Sequence, residues 1–258
     1  VFPWPEDEDV PESDYLTIKA LENGLTVSLS GNTCEYCIDS EFDNWASLPS
    51  NTPTPSINKG QTLSFRANRT PDSEKGIGRF SISTHCRLYG NCMSMLYGDE
   101  GKNSFSLGGK DYAFYGLFKD CTKIISVSAN FLPATTLADS CYYNMFSGCT
   151  SLTTAPELPA TTLSDGCYTS MFEGCYNLTS TPELPATTLA DNCYSSMFRG
   201  CTSLNYIKML ATDISATNCL YNWVYDVSPI GIFVKNTNAT WEVRGSSGIT
   251  NGWEMEYD

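Results

Sequence analysis

The sequence predicts a mixed β and α/β protein: an N-terminal antiparallel β-sandwich, then a solenoid of stacked repeats, then a C-terminal β cap. Short alternating apolar segments separated by turn residues fill residues 15–112, a pattern typical of an antiparallel sandwich. Between residues 113 and 226 one block returns at a spacing of 26 residues. Repeats of about 20–50 residues indicate supersecondary units that bury their apolar faces on one another. We therefore expect a spacer at 1–14, a sandwich domain at 15–112, a repeat array at 113–226 and a cap at 227–258.

The first 14 residues are acidic and rich in proline, so we expect an extended, self-repelling spacer. They have neither the basic nor the apolar region of a signal peptide. We favour a start that remains after an export signal is removed, and a lipid anchor upstream of Val1 stays open. A native cytoplasmic start is the alternative.

The sandwich domain is expected to contain short strands joined by tight turns. Tyr15–Ala20 and Leu25–Leu29 alternate around Glu22-Asn23-Gly24, which predicts a β-hairpin. Further strands are expected at Glu35–Ile38, Thr62–Ala67 and Arg79–Ile82, with a proline-bearing loop at Asn51–Lys59.

Each repeat unit is expected to combine one strand with one short helix. Ser151–Ala155 is a strand candidate that proline follows. Thr162 or Asp165 can then cap a helix, because the apolar residues of Cys167–Cys175 fall three to four positions apart. A strand on one side and a helix on the other is the plan of a leucine-rich repeat.

After the array the period breaks, and two apolar segments follow. Ile230–Lys235 and Trp253–Tyr257 are expected to be strands. We expect them to cap the stack, because the last unit would otherwise expose apolar surface and a strand edge.

The segments Met145–Leu152 and Met197–Leu204 resemble the core pattern of the BspA-like, or Treponema pallidum-type, leucine-rich-repeat surface proteins of Bacteroides-type bacteria. The resemblance covers four copies, with Leu-Pro-Ala-Thr-Thr inserted in each unit. Tyr36–Asp39 and Gly90–Asp99 look like motifs of the sandwich that precedes such repeats, and Gly231–Val234 with Gly252-Trp253 looks like the usual ending. The resemblance implies an extracytoplasmic location, secreted or on the bacterial outer membrane, and a role in adhesion. It names no ligand and carries over no catalytic residue.

The charge of the chain excludes one class of partner. The formal net charge is −14, whereas nucleic-acid binding depends on neutralising phosphates with Lys and Arg. No apolar run approaches the roughly 20 residues that a membrane-spanning helix needs. We therefore expect no nucleic-acid partner and no membrane span.

The chain contains 12 cysteines, which fall into two groups. Those of the repeats are expected to form ladders of buried free thiols. The alternative is that each pairs with the cysteine eight residues further on, such as Cys141 with Cys149. They are Cys121, Cys149, Cys175, Cys201, Cys141, Cys167, Cys193 and Cys219. For the other four, a disulfide, free thiols and a zinc site all stay open. They are Cys34, Cys37, Cys86 and Cys92.

Little in the sequence points to catalysis or to a bound metal. His85 is the one histidine, and adjacent residues of a strand, such as His85 and Cys86, point apart. Asp39, Glu41 and Asp43 alternate and could hold calcium, but we favour a solvated hairpin. We expect no enzyme activity, no catalytic residue, no cofactor and no metal.

The strand face of the repeats is the expected binding surface. Its candidate residues are small, polar or uncharged: Thr153, Ala155, Thr179, Thr181, Asn205 and Ile207. The tyrosines Tyr142, Tyr143, Tyr168 and Tyr194 could stack on sugars, although packing between units is the favoured interpretation.

The sequence thus predicts a non-enzymatic recognition or adhesion protein, cell-surface or secreted. Its partner would be a host or bacterial surface protein or a glycan, bound through the repeats. One alternative is a carbohydrate-binding module of a glycan-uptake system, with the sandwich as reader. A second is a cryptic glycan hydrolase that uses carboxylates.

Overall fold

The computed structural model describes residues 13–39, 42–72 and 75–258. The spacer expected at 1–14 therefore lies outside the described residues, apart from its last two positions. The described part is rich in short strands and has one α-helix, α1 (Ser94–Tyr97), with 3-10 turns at Gly98–Asn103 and Ala129–Phe131. The strands are β1 (Leu16–Ala20), β2 (Val27–Ser30), β3 (Cys34–Ile38), β4 (Ala46–Leu48), β5 (Thr62–Arg66), β6 (Arg79–Ile82), β7 (Cys86–Tyr89), β8 (Ile124–Val127), β9 (Tyr206–Met209), β10 (Ile232–Lys235) and β11 (Glu254–Tyr257).

The N-terminal strands lie close to where alternation predicts them, but they do not form the expected sandwich. Six strands form one sheet in the order β4-β3-β5-β1-β7-β8, while β2 and β6 form a separate two-stranded ladder. The pair β7–β8 is parallel, so the large sheet is mixed. The prediction of an antiparallel sandwich is therefore wrong.

The hairpin predicted around Glu22-Asn23-Gly24 is also wrong. Strand β1 pairs with β5 on one side and β7 on the other, and β2 pairs with β6. After the turn, Leu25 bridges Ile57 instead of returning along β1. Leu16, Thr17 and Ile18 are all buried, so β1 occupies a central position that a two-stranded hairpin could not provide.

The large sheet extends past the boundary expected at residue 112. Strand β8 belongs to the repeats by sequence, yet it pairs with β7. The thiol of Cys121 donates to the carbonyl of Phe80 at 3.2 Å. One hydrophobic cluster extends from Leu16 to Trp253, so the repeats continue the core of the N-terminal sheet.

The expected helices of the repeat units are absent from the described residues 113–226. Backbone bonds of two kinds alternate instead: the amide of Met145 donates to Tyr142 within the unit at 3.1 Å, and that of Phe146 donates to Met171 of the next unit at 2.9 Å. An α-helix would need each amide to bond four residues back. The backbone is also left-handed at every fourth residue, which no α-helix tolerates. In one unit these residues are Ser140, Asn144 and Gly148.

The expected strands of the middle repeats are reduced to isolated bridges. Thr154 bridges Ser126, and Ser180 bridges Tyr206, both in parallel orientation. Because neither the helix nor a regular strand forms in these units, the predicted leucine-rich-repeat solenoid is wrong. The physical reason is that the inter-unit bonds lie mainly in the turn segments, where they replace the helical bonds.

The 26-residue spacing nevertheless brings equivalent rings into register. The rings of Phe146 and Phe172 lie 5.7 Å apart with planes inclined by 3°. Those of Tyr142 and Tyr168 lie 5.7 Å apart, inclined by 2°. Two stacked ring columns result, and both reach Trp223. The phenylalanine column contains Phe80, Phe118, Phe146, Phe172 and Phe198, and the tyrosine column contains Phe114, Tyr142, Tyr168 and Tyr194.

The C-terminal residues form one sheet with the last repeat. Strands β9, β10 and β11 are parallel in the order β11-β10-β9. The indole N–H of Trp223 donates to the carbonyl of Gly248 at 2.8 Å, which ties the ring columns to the C-terminal segment. Edge strand β11 carries Glu254 and Glu256, both exposed, and charges on an edge strand oppose pairing with another chain.

Candidate recognition surface

The six residues predicted as a binding surface do not share one exposed face. Thr179 and Asn205 are exposed, whereas Thr153 and Ala155 are half-buried. Thr181 and Ile207 are buried, with exposures of 9% and 0%. Ile207 belongs to the hydrophobic core, so its assignment to a binding surface is wrong, and Thr181 cannot contact a large partner either.

The residues that face outward lie next to the buried ones along each strand. Because alternate residues of a strand face opposite sides, burial of Ile207 and Met209 turns Tyr206 and Lys208 outward. Bridge partners extend this arrangement in two groups: Ser126 pairs with Thr154, and Ser180, Tyr206, Ile232 and Glu254 pair in succession. Thr154 and Ser180 occupy equivalent repeat positions, 26 residues apart. The outward row, as we call it, consists of Ser126, Thr154, Ser180, Tyr206, Ile232 and Glu254.

The sequence itself indicates which side of this strand faces outward. The alternating segment Tyr206–Met209 has two apolar residues, Ile207 and Met209, and the apolar side of a half-buried strand faces the core. The outward row is made mainly of hydroxyl side chains, with a single charge at its Glu254 end.

A groove of about 650 Å³ lies where the chain leaves this row; we call it the junction groove. It is lined in part by Phe105, Ser128, Asn130, Pro133 and Glu157. Ser128 follows β8, and the amide of Glu157 donates to the carbonyl of Ala129 at 3.0 Å. Phe105 is 53% exposed, so the groove offers an apolar side chain beside amide and carboxylate groups.

The tyrosines proposed to contact sugars mostly cannot do so. Tyr142, Tyr168 and Tyr194 are each 1% exposed and stack on one another. Only Tyr143 is partly exposed, and its ring stacks on Tyr115 at 5.3 Å. Packing between units, the favoured interpretation, is confirmed for the three buried rings.

All 12 cysteines are buried free thiols, so Cys141 and Cys149 are not bonded to each other. Their thiols form part of the core; for example, Cys149 donates to the carbonyl of Phe118 at 3.2 Å. Burial raises the pKa of the Cys141 thiol to about 12 and that of Cys121 likewise to about 12. Since the thiolate is the nucleophile and the metal ligand, these groups are poorly suited to either role in the folded protein.

The polar residues considered for chemistry have structural contacts. His85 Nδ1 lies 3.1 Å from a carboxylate oxygen of Glu22, and this contact lowers the pKa of Glu22. Asp39 accepts bonds from the side chain of Gln61 and the amide of Thr62, and Glu41 lies outside the described residues. Within 13–39, 42–72 and 75–258, no cluster of three or more His, Cys, Asp or Glu residues could hold a metal ion.

Comparison of the chain with family models, with curated proteins and with solved structures finds no match. Among the described residues, no helix has the length and apolar character needed to cross a bilayer.

Proposed function

We propose that this protein is a non-enzymatic recognition or adhesion protein of the BspA-like kind, cell-surface or secreted. Its partner is a host or bacterial surface protein or a glycan. The observation that supports the proposal is the outward row, in which Ser126, Thr154, Ser180, Tyr206 and Ile232 stand at equivalent positions of successive units. Such a row offers an extended surface and no enclosed reaction centre.

Backbone hydrogen bonds between neighbouring units support the same function. The amide of Tyr168 donates to the carbonyl of Cys193 at 3.0 Å, and the amide of Phe172 donates to that of Met197 at 2.9 Å. These hydrogen bonds hold the turn segments of neighbouring units together. Short hydroxyl side chains such as Thr154 and Ser180 lose little rotamer freedom when a partner covers them. A preorganised surface of this type loses less free energy on binding than a mobile one.

The test measures binding of the purified chain to a panel of extracellular-matrix proteins, mucins and glycans. Thr154→Lys and Ser180→Lys place a long charged side chain in the outward row, at positions that are exposed in the native protein. Thr161→Lys and Thr187→Lys, exposed positions farther along the same two units, are the matched controls. We expect the row variants to weaken binding at least tenfold and the controls to bind normally.

Three results would count against the proposal. Equal binding by row and control variants would place the contact elsewhere, and failure to bind anything in the panel would contradict a recognition role. Release of reducing sugar from a glycan would instead indicate the carboxylate-based hydrolase.

A second candidate function is a carbohydrate-binding module that reads glycans through the N-terminal sheet. The observation that favours it is a partly exposed aromatic cluster of Tyr15, Phe42 and Trp45. The ring of Tyr15 lies 4.9 Å from each of the other two. Aromatic faces of this kind combine apolar area with nearby polar groups. A chain lacking residues 113–258 cannot test this, since β8 belongs to the N-terminal sheet, so point variants are required.

A further inference from the structure

A second groove, of about 660 Å³, lies beside this aromatic cluster; we call it the arginine groove. Its lining includes Glu35, Arg66, Arg69, Tyr97, Asp99 and Glu100. These residues come from β3, from β5 and the segment after it, and from α1 and the 3-10 turn that follows. The groove therefore brings together charged groups that are far apart in sequence.

The guanidinium group of Arg66 is held in one position by three neighbours. Its Nε donates to Glu35 at 2.8 Å and its Nη1 to Asp99 at 2.7 Å. The same guanidinium lies 4.2 Å from the ring centre of Trp45. The hydroxyl of Tyr15 also donates to Asp99, at 2.9 Å. Since a guanidinium has five N–H donors, three of those on Arg66 have no hydrogen-bond acceptor among the described residues.

Arg69 provides a second set of oriented donors. Its Nε and Nη2 both donate to the carbonyl of Thr33, at 3.2 and 2.8 Å, and Nη2 also contacts the hydroxyl of Thr33. The two N–H groups of Nη1 have no partner among the described residues. On the acceptor side, Glu35 and Asp99 each use one oxygen toward Arg66, which leaves the second oxygen of each.

We propose that the arginine groove binds a neutral saccharide. Each sugar hydroxyl both donates and accepts hydrogen bonds, so neighbouring hydroxyls suit a groove lined by the donors Arg66 and Arg69 and by the acceptors Glu35, Asp99 and Glu100. Three carboxylates face two guanidinium groups, so an anionic ligand gains no net attraction. The wall formed by Tyr97 supplies an aromatic side chain against which the apolar face of a sugar can pack.

This inference rests on the second candidate function and leaves the first untouched. Saccharide binding would also account for the contacts that hold the Arg66 guanidinium in one position. A donor whose position is fixed in the free protein loses little entropy on binding, whereas an arginine on an open surface would have to be ordered by the ligand.

The experiment measures binding of neutral gluco-, galacto- and manno-oligosaccharides to the full chain by titration calorimetry and saturation-transfer NMR. Glu100→Gln and Arg69→Gln alter the rim while leaving the Arg66 contacts in place. We expect each variant to weaken binding about tenfold or more, since a hydrogen bond to a charged group is worth about 1.5–3 kcal/mol. Arg79→Gln is the matched control, because Arg79 also pairs with a carboxylate, Asp120, at 2.7 Å but lies outside this groove. The thermal midpoint of each variant checks that it folds.

Several outcomes would overturn the inference. They are the absence of binding by every neutral oligosaccharide, unchanged affinity in both rim variants, and tighter binding of sulfated or carboxylated oligosaccharides. Loss of saccharide binding in Ser180→Lys but not in Glu100→Gln would move the site to the outward row. That result would overturn this inference while supporting the first proposed function.

Discussion

The amide of Phe146 donates a hydrogen bond to the carbonyl of Met171, which belongs to the next repeat unit, at 2.9 Å. The same pairing recurs one unit later, from Phe172 to Met197, also at 2.9 Å. Each unit is thus fastened to its neighbour through the segment expected to be a helix. The rings of Phe146 and Phe172 also stack on each other, so backbone pairing and side-chain packing stabilise the same contact between units.

The ring columns should dominate the stability of the repeats. Phe146 is fully buried and stacks on both Phe118 and Phe172, so Phe146→Ala should lower the free energy of unfolding by about 3–5 kcal/mol. Urea unfolding followed by tryptophan fluorescence measures the change. Phe105→Ala, at a 53% exposed position, is the matched control and should cost less than about 1 kcal/mol. Similar losses of unfolding free energy in Phe146→Ala and Phe105→Ala would contradict the burial of the ring columns.

One hydroxyl of the tyrosine column should reduce stability. The Oη of Tyr142 is buried and has no hydrogen-bond partner in the described part of the chain, and an unpaired buried hydroxyl costs about 1–3 kcal/mol. Tyr142→Phe should therefore leave the thermal midpoint unchanged or raise it. Tyr97→Phe is the comparison, because its hydroxyl donates to the carbonyl of Ser106 at 2.9 Å and its loss should lower the midpoint. A clear drop for Tyr142→Phe would show that this hydroxyl has a partner.

Alkaline pH should unfold the protein by ionising its thiols. Several buried cysteines have a pKa raised to about 12 by burial: Cys34, Cys121, Cys141, Cys193 and Cys201. An unfolded cysteine has a pKa of about 8.5. Below pH 8.5 both states are protonated and stability is unaffected. Between about 8.5 and 12 only the unfolded state releases protons, so each such thiol lowers stability by about 1.4 kcal/mol per pH unit.

The measurement is urea unfolding at pH 7, 8.5, 9.5 and 10.5, with the reaction of thiols with a disulfide reagent followed in parallel. We expect stability to fall steeply above pH 8.5 and the thiols to react at the rate of unfolding. Rapid reaction of several thiols with folded protein at pH 8 would show that they are not buried.

The approach of β1 to the end of β7 leaves no room for a side chain at Gly90. Its φ is +75°, and a Cβ there would collide with the carbonyl oxygen of Tyr15. Gly90→Ala should therefore destabilise the protein by more than the left-handed backbone alone explains. Gly109 has a similar φ of +70° but open space around it, so Gly109→Ala isolates the backbone contribution. Equal changes in the unfolding midpoints of Gly90→Ala and Gly109→Ala would contradict the close contact between Gly90 and the carbonyl of Tyr15.

The sequence predicts the strands of the N-terminal part better than their partners. Alternation places β3, β5 and β6 within one or two residues, because it reports which faces are buried. It does not report that β1 lies between β5 and β7, since pairing depends on residues far apart in the chain. The hairpin signal at Glu22-Asn23-Gly24 fails for this reason.

In the repeats, the sequence predicts the 26-residue spacing correctly but predicts helices where the structure has turns. A spacing of four residues between Cys167, Met171 and Cys175 fits one face of a helix, but it equally fits turns of four residues. The left-handed positions Gly166, Ser170 and Gly174 repeat at the same spacing, and glycine at two of them argues for turns. Two of the six candidate surface residues, Thr181 and Ile207, are buried, and the alternation of Tyr206–Met209 explains the position of Ile207, because the apolar side of a half-buried strand faces the core.

The most direct test of the repeat architecture is detection of scalar coupling across hydrogen bonds by NMR on isotope-labelled protein. We predict coupling from the amide nitrogen of Phe146 to the carbonyl carbon of Met171, and from Phe172 to Met197. Coupling from Phe146 to Tyr142, the partner that an α-helix requires, would contradict the account, because the units would then be helical and joined by side chains alone.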